Sequence, residues 1–273
     1  MPIVKTDSQH YTDIASAIRE KNGETTLYKP SEMAAAILAI KAGADMPAFS
    51  YTGAYTIIDD GNGNWRIRFL TSGTLTLNDP ATIDAFLVGG GASGSISGGS
   101  SYMGGGGGSG FTTTQKGIYL EAGIDYSIVI GAGGTSPTSS SMIGNSGGMT
   151  SAFNLSAAGG TAGNGTYYTY GGSGGSGGGS GGSSSQKGDG GTDGGNGAGT
   201  YPGTGQGTTT REFGETGGAI YAAGGKGGVA TVNLFDADAN SGDGGDGSET
   251  KNQASGAGGS GIVVIRNARE VTT

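Results

Sequence analysis

The sequence predicts a mainly β fold: a sandwich- or jelly-roll-like framework with polyglycine-II-like insertions, behind a small N-terminal helical hairpin. Three observations carry this. From Phe49 onward the apolar residues alternate with period two, as in strands with one covered face. Glycine blocks at 89–110, 159–207 and 242–261 begin or end next to those strands. Helical spacing of apolar residues is confined to residues 8–41. The organisation expected is a helical module over residues 1–45 and a glycine-rich β-domain over residues 46–273.

The elements follow in order. Ser8 or Thr12 can cap a short helix with Ile14, Ala17 and Ile18 on one stripe, ended by Asn22-Gly23. Pro30-Ser31 opens a second helix whose stripe is Met33, Ile37, Leu38 and Ile40. Neither is long enough to be stable alone, so the stripe must be buried against something. Tyr55–Ile58 and Trp65–Leu70 flank the hairpin signal DDGNGN. On the second of these strands Trp65, Ile67 and Phe69 point one way, Arg66 and Arg68 the other. Leu75 and Leu77 alternate with threonines before the turn Asn78-Asp79-Pro80, and Ile83–Val88 runs straight into the first glycine block. Gly117–Ile130, Met149–Leu155, Val229–Phe235 and Ile262–Arg266 complete about eight strands, enough for a two-layer core.

Glycine accounts for 64 of 273 residues, with 6 prolines and no collagen period. Gly/Ser-rich sequence is ordinarily flexible coil. Here the blocks interrupt one β-domain rather than join two, which favours packed extended helices of three residues per turn. Gly159–Gly207, the longest block, reads as the stretch around which the chain is organised. The net charge of −8 and the scarcity of lysine argue against nucleic acid as a partner. No run of 18 apolar residues offers a membrane span, and MPIVKTDSQHY lacks the apolar segment of a signal peptide, so assembly in a cytoplasm is expected. Without cysteine there is no disulfide or thiol chemistry.

Catalysis finds little support. His10 is the single histidine and lies in the helical segment, so the β-domain has no Ser-His-Asp constellation. Gly224-Gly225-Lys226-Gly227 lacks the first glycine and the Ser/Thr of a phosphate loop. Asp59/Asp60 and Asp236/Asp238 are the carboxylate pairs a glycosidase would need, but the first sits in a hairpin turn. Asp243, Asp246 and Glu249 lack calcium-loop spacing. No catalytic residue, metal or cofactor is therefore expected. Binding is better supported, because the 12 tyrosines suit a wet recognition surface. Tyr167, Tyr168 and Tyr170, with Tyr102 and Tyr201, are the candidate contact residues, although rings covering glycine ridges would read as core. Phe213 and Tyr221 are expected to be core.

The segment YTDIASAIREKNGETTLYKPSEMAAAILAI, with its IASAIREKNG turn and YKPSEMAAAI helix, resembles an N-terminal module of tail-associated proteins of phages and prophages of Gram-positive bacteria. IDAFLVGGGASG, LEAGIDYSIVIGAGG and GGSGIVVIRN are similar to the glycine-rich domain of phage tail fibres and adhesins. The resemblance implies a virion protein whose helices dock to tail or baseplate proteins through Ile14, Ile18, Met33, Ile37 and Leu38. Its tyrosines would meet a host-surface glycan or protein. It also implies a homo-oligomer, with Ala34–Ala36 allowing close helix contact in a trimer, which a light-scattering mass decides. The alternatives are a structural head fibre or decoration protein without a receptor, an ice-binding or matrix protein, and a glycan depolymerase.

Overall fold

The computed structural model describes residues 8–22, 27–33, 46–61, 63–97, 103–137, 143–164, 170–181, 188–189, 210–228, 236–249 and 253–269. The chain divides into two compact units: Met1–Met46 with Asp59–Trp65, and Pro47–Ile58 with Arg66–Thr273.

In the first unit α1 spans Ser8–Asn22. Its buried residues are Ala15 and Ile18, which pack with Met33, Tyr11 and Tyr28. The expected stripe of Ile14, Ala17 and Ile18 is thus corrected to Tyr11, Ala15 and Ile18. Ile14 is 43% exposed, because Tyr28 and Met33 approach the helix from the other side. Residues 30–33 are helical, as Pro30 predicts. The Lys29 backbone N–H donates to the Glu32 carboxylate at 2.9 Å, which satisfies a donor at the helix start. Ile37, Leu38, Ile40 and Ala34–Ala36 lie outside the described residues.

The β-framework has two layers. One is a five-stranded antiparallel sheet in the order β2 (Tyr55–Gly61), β3 (Asn64–Phe69), β10 (Ile262–Asn267), β5 (Ala81–Val88), β6 (Thr112–Leu120). The other joins β1 (Phe49–Tyr51), β4 (Gly73–Leu77) and β7 (Asp125–Ile128). A Val129–Ser151 bridge extends this layer to the hairpin of β8 (Thr150–Ala152) and β9 (Leu155–Ala157). The rings of Tyr51 on β1 and Phe69 on β3 meet across the layers at 4.6 Å. Met149–Leu155 is therefore not one strand. Phe153 and Asn154, at φ 53° and 60°, turn it into a hairpin. Likewise, Gly117–Ile130 comprises the end of β6, a turn at Gly123 and β7. Val229–Phe235 lies outside the described residues.

Because β5 and β10 are central, both of their faces are buried, and they read as apolar runs rather than alternations. Ala85, Leu87, Val263 and Ile265 share the face of Ile67 and Phe69, by the pairing of β10 with β3 and β5. The opposite face carries Phe86, Val88, Ile262 and Val264, and residues 210–222 cover it with Phe213, Tyr221 and Ala222. The expectation that Phe213 and Tyr221 are core thus agrees with their 4% and 8% exposure. The covering segment is also tied down by charge. Glu212, in the 3-10 turn Glu212–Gly214, accepts from Arg66 at 2.7 Å and Arg68 at 2.9 Å. Arg266 donates to Asp84 at 3.0 Å and Glu215 at 2.7 Å, with its guanidinium 4.1 Å from the Phe213 ring centroid.

Candidate functional site

The glycine blocks are continuations of the strands. Val88 of β5 passes directly into the run 89–97, and the run 104–111 leads back into β6. Runs 131–137, 143–149, 158–164 and 255–261 continue β7, β8, β9 and β10 in the same way. Within the sandwich the layers stand ~10 Å apart, filled by side chains. Beyond Val88 the run is glycine with a few mostly short side chains, too little to fill the gap, and the layers close until their backbones bond directly. Gly90 N–H, continuing β5, donates to Gly148 O, preceding β8, at 2.9 Å.

The bonding has a period of three. Along the first run Gly89, Ala92 and Ser95 donate to Phe111, Gly108 and Gly105, each at 2.9 Å. Gly90 and Ser93 donate to Gly148 and Asn145, both at 2.9 Å, and Gly91 and Gly94 to Gly259 and Gly256 at 2.8 and 3.0 Å. A helix of three residues per turn turns each successive N–H to a different neighbour, which is what this pattern requires.

Run 104–111 is the hub. It donates to 242–248 (Gly104, Gly107 and Gly110 to Ser248, Gly245 and Gly242), to 176–179 (Gly106 to Gly179, Ser109 to Ser176) and to 158–161 (Gly108 to Thr161, Phe111 to Ala158). It accepts from 89–95, from Gly225 and Gly228, and from Gly172 and Gly175. A backbone bonded on every side leaves no direction for a side chain. A Cβ built on Gly104, Gly105, Gly106, Gly107 or Gly108 would lie 1.9, 1.9, 2.2, 2.2 and 2.2 Å from a carbonyl oxygen of a neighbouring run. In each glycine the hydrogen at that place points at the oxygen, a weak Cα–H···O contact. Space is therefore the reason for glycine here. Gly242 alone among the described lattice glycines also needs φ near 70°, at the turn beside Val88.

Fixing a backbone costs ~1–2 kcal/mol per residue. One net hydrogen bond returns ~1 kcal/mol and a Cα–H···O contact ~0.5–1. The lattice is close to neutral by itself and depends on the sandwich that seeds it. Short polar side chains brace its margins by standing in for carbonyls. Asp243 and Asp246 accept the N–H groups of Ala223 and Lys226 at 2.7 and 2.8 Å, and Ser95 and Ser109 accept from Gly105 and Ser176 at 2.8 and 2.7 Å. Burial holds the Asp243 carboxyl above the usual carboxylate range, against the pull of its hydrogen bonds.

Of the candidate contact residues Tyr170 alone is described, and it falls at the end of this bundle away from the sandwich. At ~3.1 Å per residue the run from Gly89 to Ser97 extends about 25 Å from β5. Ser97 and Met103, and Asn164 and Tyr170, end their runs there. Tyr170 is half-buried, and its carbonyl accepts the Asn164 N–H at 2.9 Å. Tyr102, Tyr167, Tyr168 and Tyr201 lie outside the described residues. Of the docking set, Ile18 and Met33 are buried in the first unit and Ile14 is exposed.

The carboxylates weighed for chemistry have structural partners. Asp59 accepts the Gly61 N–H at 2.8 Å and Asp236 the Ala257 N–H at 2.7 Å. His10 is exposed on α1. Among the described residues no group of three or more His, Cys, Asp or Glu is arranged to hold a metal ion. Among the described residues the hub is the first glycine block, and most of Gly159–Gly207 lies outside the described residues. The signal was present in Gly104–Gly108, the longest uninterrupted glycine run in the sequence.

A family model described as a glycine-rich domain matches residues 70–268. No curated protein matches the chain.

Proposed function

The chain belongs to the glycine-rich domain family, and from that premise we propose that it is a non-catalytic attachment protein of a phage particle. In this reading it is a tail-fibre or tail-tip protein whose bundle end meets a host cell surface. The observation that carries the reading is the bundle itself. A backbone-bonded, glycine-dominated lattice grown from strand ends is a stiff mount, and residues projecting from its far end lose little further entropy on binding. The two resemblances in the N-terminal and glycine-rich segments support the same reading. The first unit then docks to neighbouring tail proteins, with Ile14 exposed for contact. The contact patch is Tyr170 with Tyr167 and Tyr168, and Tyr102 and Tyr201 as weaker members, acting on a cell-surface glycan or protein.

Central rings in such a patch contribute on the order of 1–2 kcal/mol each. Purified protein is expected to bind cells within a panel of Gram-positive strains, and Tyr168→Ala/Tyr170→Ala to bind tenfold or more weakly with unchanged circular dichroism. A folded double variant that binds as well as the parent removes this patch. A parent that binds no strain leaves a purely structural virion component as the better account.

A further inference from the structure

The other end of the sandwich has the make-up of a ligand site. There the last residues of β6, the first of β7 and the β8–β9 turn enclose an open groove of about 460 Å3. This is within the range of small-molecule sites. Three rings line it: Tyr119, which is 62% exposed, and the half-buried Tyr126 and Phe153. Tyr126 is fixed, because its hydroxyl accepts the Glu121 N–H at 2.7 Å and its ring meets Phe153 at 5.9 Å and 56°.

Phe153 is the anomaly. Both central residues of its two-residue turn have positive φ, 53° at Phe153 and 60° at Asn154. Asn-Gly is the pair such a turn favours, and a bulky residue at the first position is strained. Core packing does not repay the strain, because the ring remains half-exposed over the groove. Strain held beside a cleft points to a role in that cleft.

The polar lining narrows the ligand class. Asp125 is the one charged residue of the groove, so no cation is present there to hold an anion. The Thr76 hydroxyl donates to the Asp125 carboxylate at 2.6 Å and orients it. Asn154 adds an exposed amide. Exposed rings that can stack on the apolar face of a pyranose, flanked by a carboxylate and an amide for its hydroxyls, suit a neutral sugar. The groove is open and spans three chain segments, which fits a saccharide better than a compact quaternary ammonium group in an aromatic cage. We propose that this groove binds a neutral hexose-containing glycan, with Tyr119 and Phe153 stacking on the ring and Asp125 and Asn154 bonding its hydroxyls.

Saturation-transfer NMR on the full chain with galactose, glucose, rhamnose and N-acetylglucosamine, and choline as a control, tests this. Transfer to the ring protons of at least one sugar is expected. Affinity should fall tenfold or more in Tyr119→Ala and in Phe153→Asn. Phe153→Asn places a turn-favoured residue at positive φ, so its melting temperature should hold or rise while binding is lost. A merely structural ring would not behave so. Transfer to no sugar, transfer to choline alone, or unchanged sugar affinity in both variants overturns the proposal. Tyr167, Tyr168 and Tyr170 are intact in these variants and the probes are free sugars, so failure here is distinct from failure of the whole-cell binding on which the proposed function rests.

Discussion

At the scale of single residues, two glycines of the same chemistry should behave oppositely. A Cβ on Gly106 would stand 2.2 Å from the Gly225 carbonyl oxygen, and the neighbour is backbone held in a hydrogen-bonded lattice, so it cannot turn aside. A Cβ on Gly217 meets nothing within 4 Å, and its φ is not in the left-handed region. Gly106→Ala should destabilise by about 1–3 kcal/mol, the usual cost of overpacking, or roughly 2–12 °C in melting temperature. Gly217→Ala should stay within about 0.5 kcal/mol of the parent. Thermal denaturation followed by circular dichroism checks both. Equal melting temperatures for the two variants would mean that the hub is not packed as described.

At the scale of elements, the segment 210–222 is held on the sheet by charge as well as by Phe213 and Tyr221. Glu212 is 1% exposed and serves two arginines, so Glu212→Gln leaves Arg66 and Arg68 without their counter-charge. Breaking a buried pair from one side costs about 3–5 kcal/mol. The arginines are 24% and 29% exposed, so the lower end is expected, near 3 kcal/mol. The pair at the other end adds a pH dependence. The hydrogen bond from Arg266 holds the Glu215 carboxyl below its ordinary value of 4.5. A lowered folded-state pKa means stability that is present above the ordinary value and lost as pH falls through the lowered one. Melting temperatures from pH 7 to pH 3 should therefore fall less steeply in Glu215→Gln than in the parent, while the two Gln variants differ at pH 7 in the order of their burial. A parallel pH profile for Glu215→Gln would show that this pair contributes nothing.

At the scale of the molecule, the lattice and the sandwich should unfold as one body. The per-residue balance in the glycine runs is near zero, whereas the apolar clusters on β5 and β10 supply a net gain on folding. Phe86→Ala empties a position in the cluster with Phe213 and Tyr221 and should cost about 3–5 kcal/mol. Native-state hydrogen exchange should then show amides of 89–95 and 104–111 losing protection by the same free energy as those of β5 and β10. Rapid exchange across the glycine runs with strand protection unchanged would show a bundle that opens by itself.

What the sequence determined about this protein is what short-range spacing can encode. Trp65, Ile67 and Phe69 alternating with Arg66 and Arg68, the Asn78-Asp79-Pro80 turn, and β5 running into glycine all follow from period two and local turn chemistry. The exclusion of φ as the main reason for glycine was not legible, because the same composition serves coils, turns and close contacts. Nor was the place of Gly104–Gly108 at the hub, since its neighbours come from runs as far along the chain as 242–248. The Phe153-Asn154 turn carries no sequence signal for a hairpin, so a single strand was the natural reading. Arg66 and Arg68 gave their direction but not their partner, which is Glu212, 146 and 144 residues away. Tertiary structure alone decided these points. A glycine run has no side chain to state which neighbour it needs, and only the strands that enter and leave the sandwich bring the backbones within bonding distance.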